Sequence, residues 1–113
     1  MQKLVSEKQF KELVSSGQTV ISVFKTTWCK DCHYLDLFMD SIEQNYASMV
    51  TFIEVDLDEF PKLSSEYMVL GIPSFISFKN GQEITRFVSK LRKEKAEIEQ
   101  YVKQTIRVSD ALQ

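Results

Sequence analysis

The chain has 113 residues, the length of one domain, with 43% hydrophobic residues and a formal net charge of −2. This balance predicts a packed core, because disordered chains combine low hydrophobicity with high net charge. The slight acidic excess argues against a nucleic-acid-binding protein, which would be basic. The longest apolar run, Tyr67 to Leu70, is far shorter than the ~20 residues of a membrane-spanning helix, so no membrane association is expected.

The first third of the chain predicts a helix, a strand and a second helix. Ser6 followed by Gln9 resembles a capping box and predicts a helix over about residues 6–16, with Gly17 as its C-cap. The segment 19–24 has apolar residues at both odd-numbered and even-numbered positions, which is typical of a strand buried on both faces. A second helix is expected from Cys29 to about Tyr46.

The remaining segments predict three strands and two helices. Strands are expected over 51–55, 74–79 and 83–88, a short helix at Pro61, and a last helix over about 90–107. Asn80-Gly81 is a hairpin signal between the last two strands. Helical crossovers imply parallel strands and the hairpin implies an antiparallel edge. We therefore expect an α/β domain over 1–113 with a mixed four-stranded sheet and helices on both faces.

Cellular context is predicted from the N-terminus and from the cysteine count. The chain reaches Glu7 before any apolar stretch forms, so we expect no signal peptide and a cytoplasmic protein. The two cysteines, Cys29 and Cys32, are too close in sequence to cross-link distant segments as a secreted scaffold would. We expect a monomer.

The two cysteines form a C-x-x-C motif at the start of the second predicted helix. Two thiols one helical turn apart can close a small disulfide ring, and the helix N-terminus favours an anion at the first sulfur. We expect Cys29 to ionise more readily than an ordinary thiol and to attack a disulfide. Cys32, one turn further in, would then resolve the mixed disulfide. The cysteine pair carries the electrons, so no bound cofactor is expected.

Three other interpretations of this motif are open. A structural zinc site needs four ligands, and the chain offers two cysteines and one histidine, His33. Cys29 to His33 also matches the C-x-x-C-H string of c-type haem attachment, which leaves the preceding buried strand unexplained. The cysteines could also be inert core residues, since Cys often packs as a small hydrophobe.

Several separate motifs make the chain resemble the thioredoxin family over nearly its whole length. They are Thr26-Thr27-Trp28-Cys29 after a buried strand, Val55-Asp56-Leu57-Asp58, Gly71-Ile72-Pro73-Ser74-Phe75 and Phe78-Lys79-Asn80-Gly81. The resemblance implies a thiol–disulfide oxidoreductase involved in cell redox homeostasis. It implies protein or low-molecular-weight disulfides as substrates, and a thioredoxin reductase or another thiol donor as a partner.

The resemblance also implies roles for residues around the cysteines. It places a cis peptide bond at Ile72-Pro73 against the disulfide, so that the Ile72 backbone can pair with an extended substrate. Trp28 would flank Cys29, in an apolar rim with Ile72 and Val88, although Trp28 could instead be an ordinary core residue. Ile72 and Val88 are the expected substrate-binding residues.

The chain departs from the family between and before the cysteines. The usual Gly-Pro is Lys30-Asp31, where Lys30 favours a thiolate and Asp31 opposes it, so reductase and oxidant both remain open. The usual buried Asp is Val23, and its companion Lys is Glu54. One hypothesis is that Glu54 reaches under the disulfide and serves as general base for Cys32. The alternative is that Glu54 lies at an open, solvated edge.

Two further departures, at Leu37 and Ser89, concern structure. Leu37 replaces a mid-helix Pro, so the second helix should be straighter. Ser89 replaces a loop Gly, and its side chain could narrow the substrate groove. Lys90, Arg92, Lys93 and Lys95 make the start of the last helix basic, either as a solvated face or as a docking surface. The missing Asp and Gly-Pro also leave open a thioredoxin-fold binding module with weak or no turnover.

Overall fold

The computed structural model describes residues 1–112 and contains one mixed sheet with five helices. The strands are β1 (Gln2–Lys3), β2 (Val20–Lys25), β3 (Thr51–Asp56), β4 (Ser74–Lys79) and β5 (Gln82–Phe87). The helices are α1 (Glu7–Val14), α2 (Lys30–Asp36), α3 (Met39–Tyr46), α4 (Pro61–Glu66) and α5 (Lys95–Ala111). None of the helices described could span a membrane, because none is both long and apolar enough.

The sheet order is β1-β3-β2-β4-β5, so the expected four strands are five. The prediction of four strands was wrong because β1 has only two residues, too few to show an alternating pattern. Strands β1, β3 and β2 run parallel, whereas β4 is antiparallel to both β2 and β5. The β4–β5 hairpin turns at Asn80 and Gly81, both with positive φ, as its Asn-Gly signal requires.

Helices cover both faces of the sheet, as expected. One apolar cluster joins the sheet to α1 and α4 through Phe10, Val14 and Leu63. The other joins it to α2, α3 and α5, and includes Leu35 from α2 and Tyr101 from α5. The inner strands are therefore buried on both faces, which explains why both their odd-numbered and their even-numbered positions carry apolar residues.

The second predicted helix is not one straight helix. It divides into α2 and α3 at Leu37 and Phe38, so the expectation based on the absence of Pro was wrong. The Leu37 N–H donates to the Tyr34 carbonyl (3.2 Å) and the Phe38 N–H to the Leu35 carbonyl (3.1 Å). These shorter-range bonds tighten the last turn of α2 without any proline.

The two terminal helices also begin and end differently from the expectation. α1 ends with Ser15 as its C-cap rather than Gly17, whose positive φ turns the chain two residues later. α5 begins at Lys95, because Glu94 and Glu97 form a reciprocal capping box there. Residues 90–94 are consequently a loop, so most of the expected basic helix start is not helical.

Candidate active site

Cys29 occupies the N-cap of α2, directly after the loop that follows β2. Its Sγ accepts a hydrogen bond from the Cys32 N–H at 3.2 Å, so the sulfur satisfies a backbone donor that the helix leaves unpaired. The same sulfur lies 3.9 Å from the Ile72 carbonyl oxygen. Cys29 is 8% exposed and lines an open groove.

Cys32 lies one turn further into α2 and is 1% exposed. The pKa of its thiol is raised to about 12, with burial as the largest cause and its side-chain hydrogen bond with Cys29 as the second. A backbone hydrogen bond from Thr26 and the positive charge of Lys25 act in the opposite direction. The two cysteines therefore differ in their surroundings: Cys29 borders the groove, whereas Cys32 is buried and its raised pKa favours the protonated thiol.

The groove beside Cys29 is lined by two loops. The α2 side supplies Trp28, Cys29, Lys30 and Asp31, and the facing side supplies Gly71, Ile72 and Lys90. The Ile72-Pro73 peptide bond is cis. Pro73 is buried and Ile72 is half-buried, so the Ile72 backbone forms the wall opposite Cys29.

Trp28 is not a core residue, because its side chain is 68% exposed. The indole Nε1 donates to Asp58 Oδ2 at 2.9 Å, which fixes the ring beside the groove. Val88, expected on the same rim, packs half-buried against the apolar cluster beneath α1 and α4, as Ile72 does. The lining of the groove includes Ile72 and not Val88, so the role of Val88 as a rim residue stays a prediction.

Ser89 bounds the groove through its backbone rather than its side chain. A Cβ placed on Gly71 would lie 2.2 Å from the Ser89 carbonyl oxygen, so the two loops pack backbone against backbone. The Ser89 hydroxyl accepts from the Leu91 N–H (3.3 Å) within its own loop. Lys90, the next residue, is the one that lines the groove.

A group of charges lies at the end of β2, behind the C-x-x-C motif. Lys25 Nζ bonds Asp36 Oδ1 of α2 (2.5 Å) and Glu54 Oε1 of β3 (3.2 Å). Glu54 is also 4.0 Å from Lys3 Nζ, and its side chain is 18% exposed. Val23 is fully buried in the apolar cluster beneath α2. Glu54 is thus partly buried and paired, and its link to Cys32 is through Lys25.

Sequence reasoning missed Lys25 as a site residue. The carboxylates of Asp36 and Glu54 raise its pKa, although burial, the largest single influence, lowers it. A lysine at the end of an otherwise apolar strand, four residues before the first cysteine, was the available signal. The pairing with Asp36 was not visible, because it depends on how α2 lies over the sheet.

His33, the one histidine, does not join the cysteines in a ligand set. Its Nε2 lies 2.7 Å from the Thr27 carbonyl oxygen, and its side chain is largely exposed. Within residues 1–112, no group of three or more His, Cys, Asp or Glu side chains is arranged to hold a metal ion. The described geometry therefore gives no support to the zinc alternative.

Comparisons with known proteins agree with this geometry. The family profile named Thioredoxin matches residues 1–104. Horse thioredoxin (Equus caballus) is 35% identical over 99 residues, which cover 86% of this chain and 92% of the relative. The chloroplastic thioredoxin X of Arabidopsis thaliana is 34% identical over 101 residues, or 88% of this chain, but the match spans only 56% of that longer relative.

Solved structures show the same fold. The thioredoxin of Malassezia sympodialis superposes with a TM-score of 0.83 and 27% identity, covering 93% of this chain and 92% of the other. The thioredoxin of Trypanosoma brucei brucei gives a TM-score of 0.81 at 23% identity, covering 93% of this chain and 89% of the other. The second likeness concerns the fold alone.

Proposed function

This chain belongs to the thioredoxin family and is a thiol–disulfide oxidoreductase, and we propose that Cys29 is its attacking thiolate and Cys32 its resolving thiol. One observation carries this assignment of roles. Cys29 Sγ accepts a helix N–H at the edge of an open groove, whereas Cys32 lies buried behind it. The thiolate is the reactive form, and a helix N-terminus stabilises it.

The proposed reaction transfers two electrons to a disulfide. The Cys29 thiolate attacks one sulfur of the substrate, the substrate S–S bond breaks, and the departing thiolate takes a proton from water. The Cys32 thiol then loses its proton, and its sulfur attacks Cys29 Sγ. The Cys29–Cys32 disulfide forms, and the second substrate sulfur leaves as a thiolate that is protonated in turn.

The groove supplies the surface for the substrate. The Ile72 backbone faces Cys29, so an extended substrate segment could pair with it. Pro73, the next residue, is buried. Trp28 offers an exposed aromatic face beside the reacting sulfur. Lys30 and Asp31 border the same groove with opposite charges. We propose protein or low-molecular-weight disulfides as the substrates.

Proton loss from Cys32 needs assistance, because burial raises the pKa of its thiol. We propose that Glu54 accepts this proton and that Lys25, bonded to Glu54, stabilises the resulting thiolate. Two observations support the pair: the Lys25 charge lowers the Cys32 pKa, and Glu54 Oε1 lies 3.2 Å from Lys25 Nζ. Val23 itself supplies no acid and packs in an apolar cluster.

The test of Glu54 follows the two steps separately with an aromatic disulfide that releases a coloured thiol at each step. Glu54→Gln should leave the first release unchanged, slow the second, and alter how the second varies with pH. Glu59→Gln, which removes an exposed acid, is the matched control. Superimposable second-step profiles for wild type and Glu54→Gln would remove Glu54 from the mechanism.

The overall activity is tested by reduction of insulin with dithiothreitol as donor. Wild type should accelerate the reaction, and Cys29→Ser should abolish the acceleration. A second candidate function, a binding module with weak or no turnover, is favoured by Val23, which lies in an apolar cluster where the family usually has an acid. Equal rates for wild type and Cys29→Ser would favour that candidate instead.

We propose that the protein works as a monomer in the cytoplasm, in cell redox homeostasis, with a thioredoxin reductase or another thiol donor restoring its dithiol. A reducing compartment keeps such a pair in the dithiol form. Turnover with a reductase, compared with glutathione as the only reductant, identifies the donor. Fractionation of cells tests the compartment.

A further inference from the structure

Lys93 is a buried lysine in the loop that leads to α5. Only 2% of it is exposed, although lysine is among the residue types least often buried. Its Nζ donates to the Ser89 carbonyl (2.8 Å) and to the Leu91 carbonyl (2.7 Å). It also lies 5.6 Å from the centre of the Phe87 ring. The sequence-based expectation of a solvated or docking face at this lysine was wrong, because the loop folds around the ammonium group.

The loop that Lys93 holds is one wall of the groove. The Ser89 carbonyl, which Lys93 binds, is packed against the Gly71 backbone. Gly71 precedes Ile72, whose carbonyl oxygen is 3.9 Å from Cys29 Sγ. A continuous series of contacts therefore runs from the buried ammonium group to the substrate-facing backbone.

The charge of Lys93 also reaches the cysteines. Burial lowers the pKa of its ammonium group, while Asp31, Cys32, Cys29 and Glu97, in that order, raise it. Asp31, Cys32 and Cys29 belong to the α2 side of the groove, and Glu97 belongs to α5. A positive charge held in this loop therefore interacts with the α2 side of the groove, where it favours negative charge.

We propose that Lys93 is a positioning residue for the dithiol site, which fixes the Ser89–Leu91 wall of the groove and favours the thiolate forms of Cys29 and Cys32 by its buried positive charge. This inference rests on the proposed function of the two cysteines. It adds a residue outside the C-x-x-C motif that sets both the groove and the redox equilibrium.

The first experiment measures the equilibrium between the protein's own dithiol and a glutathione redox buffer at pH 7. Loss of the cation destabilises the thiolate-containing reduced form, so Lys93→Met should become oxidised more readily. We expect a change in the equilibrium constant of about threefold or more, or about 14 mV towards a more negative potential. Lys93→Arg, which keeps the charge, should recover part of the change.

Lys95→Met is the matched control, because it removes an exposed lysine two residues further along. It should retain the wild-type equilibrium. A second measurement follows iodoacetamide alkylation of the reduced protein against pH. The curve for Lys93→Met should move to higher pH, which a loss of stability alone would not produce. If Lys93→Met does not fold, Lys93→Gln takes its place with the same expectations.

The proposal is overturned if folded Lys93→Met has the wild-type glutathione equilibrium and the wild-type alkylation curve, whatever its melting temperature. It is equally overturned if Lys95→Met shifts both as much as Lys93→Met does. These measurements concern the protein's own sulfurs and need no substrate protein. Failure of the proposed function would appear separately, as equal insulin reduction by wild type and Cys29→Ser.

Discussion

The sharpest prediction concerns the thiol of Cys32 when Cys29 is replaced by serine. In the structure the pKa of the Cys32 thiol is raised from an ordinary 9.0 to about 12, with burial as the largest cause. Cys29→Ser removes the neighbouring sulfur but leaves α2 and the apolar surroundings in place. Most of the rise in the pKa should therefore persist in the variant.

The magnitude follows from the size of that rise. A rise of three units lowers the thiolate fraction at neutral pH by about a thousandfold relative to an ordinary thiol. Removing the Cys29 side chain makes the rise in the Cys32 pKa smaller. We expect the Cys32 thiolate fraction of the variant to remain about a hundredfold or more below that of an ordinary thiol. A raised pKa keeps the Cys32 thiol in its neutral form. The thiolate fraction is therefore suppressed at pH values below the pKa of the folded protein, and the suppression disappears as pH rises through that pKa.

The assay is alkylation of folded Cys29→Ser by iodoacetamide between about pH 7 and pH 10.5. The rate should rise about tenfold per pH unit over this range without levelling off. Limited access of the reagent lowers all rates equally, so the shape of the curve is the diagnostic. The same variant unfolded in urea is the control and should level off near the ordinary value. A plateau below about pH 9 in the folded variant would refute the reasoning from burial.

Three further substitutions test the packing. Gly71→Ala should lower the free energy of unfolding by about 1–3 kcal/mol and slow insulin reduction, because the new Cβ would lie 2.2 Å from the Ser89 carbonyl oxygen. A variant with the activity and the stability of wild type contradicts this close approach of the two backbones. Phe10→Ala should cost about 3–5 kcal/mol in urea unfolding, because the ring is fully buried; a loss below about 1 kcal/mol contradicts its core position. Leu37→Pro should lower the free energy of urea unfolding by only about 1 kcal/mol, because Leu37 already has φ −64° at the end of α2 and loses only its 3.2 Å hydrogen bond to the Tyr34 carbonyl. A loss above about 3 kcal/mol contradicts the break between α2 and α3.

Much of the fold was predictable because the inner strands have a clear sequence pattern. Strands β2 to β5 have six residues each and are bounded by turn signals, and β2 to β4 are mainly apolar and β-branched. The predicted and observed limits of these strands differ by one residue at most. The two-residue β1 has no such pattern. The break between α2 and α3 depends on which carbonyls the Leu37 and Phe38 amides reach, and that choice has no sequence signature.

The candidate site was predictable to the same extent. Cys29 and Cys32 are identified by their spacing and by the strand before them, and the structure places one at the groove and one inside. Lys25 and Lys93 were not identified, since a lysine in a sequence gives no indication that carboxylates or carbonyls will enclose it. Charged residues buried by tertiary contacts are the part of such a site that the structure alone reveals.

Lys25 and Lys93 suggest how Cys32 can react although Val23 supplies no acid. A base removes the proton from a thiol, whereas a cation lowers the free energy of the thiolate that remains, and either makes deprotonation easier. The two effects leave different signs in a pH profile. A cation moves the whole profile to lower pH, while a base adds the titration of its own carboxyl. If Lys25→Met moves the second-step profile to higher pH without changing its shape, the cation dominates, and Glu54 serves chiefly to hold Lys25 in place.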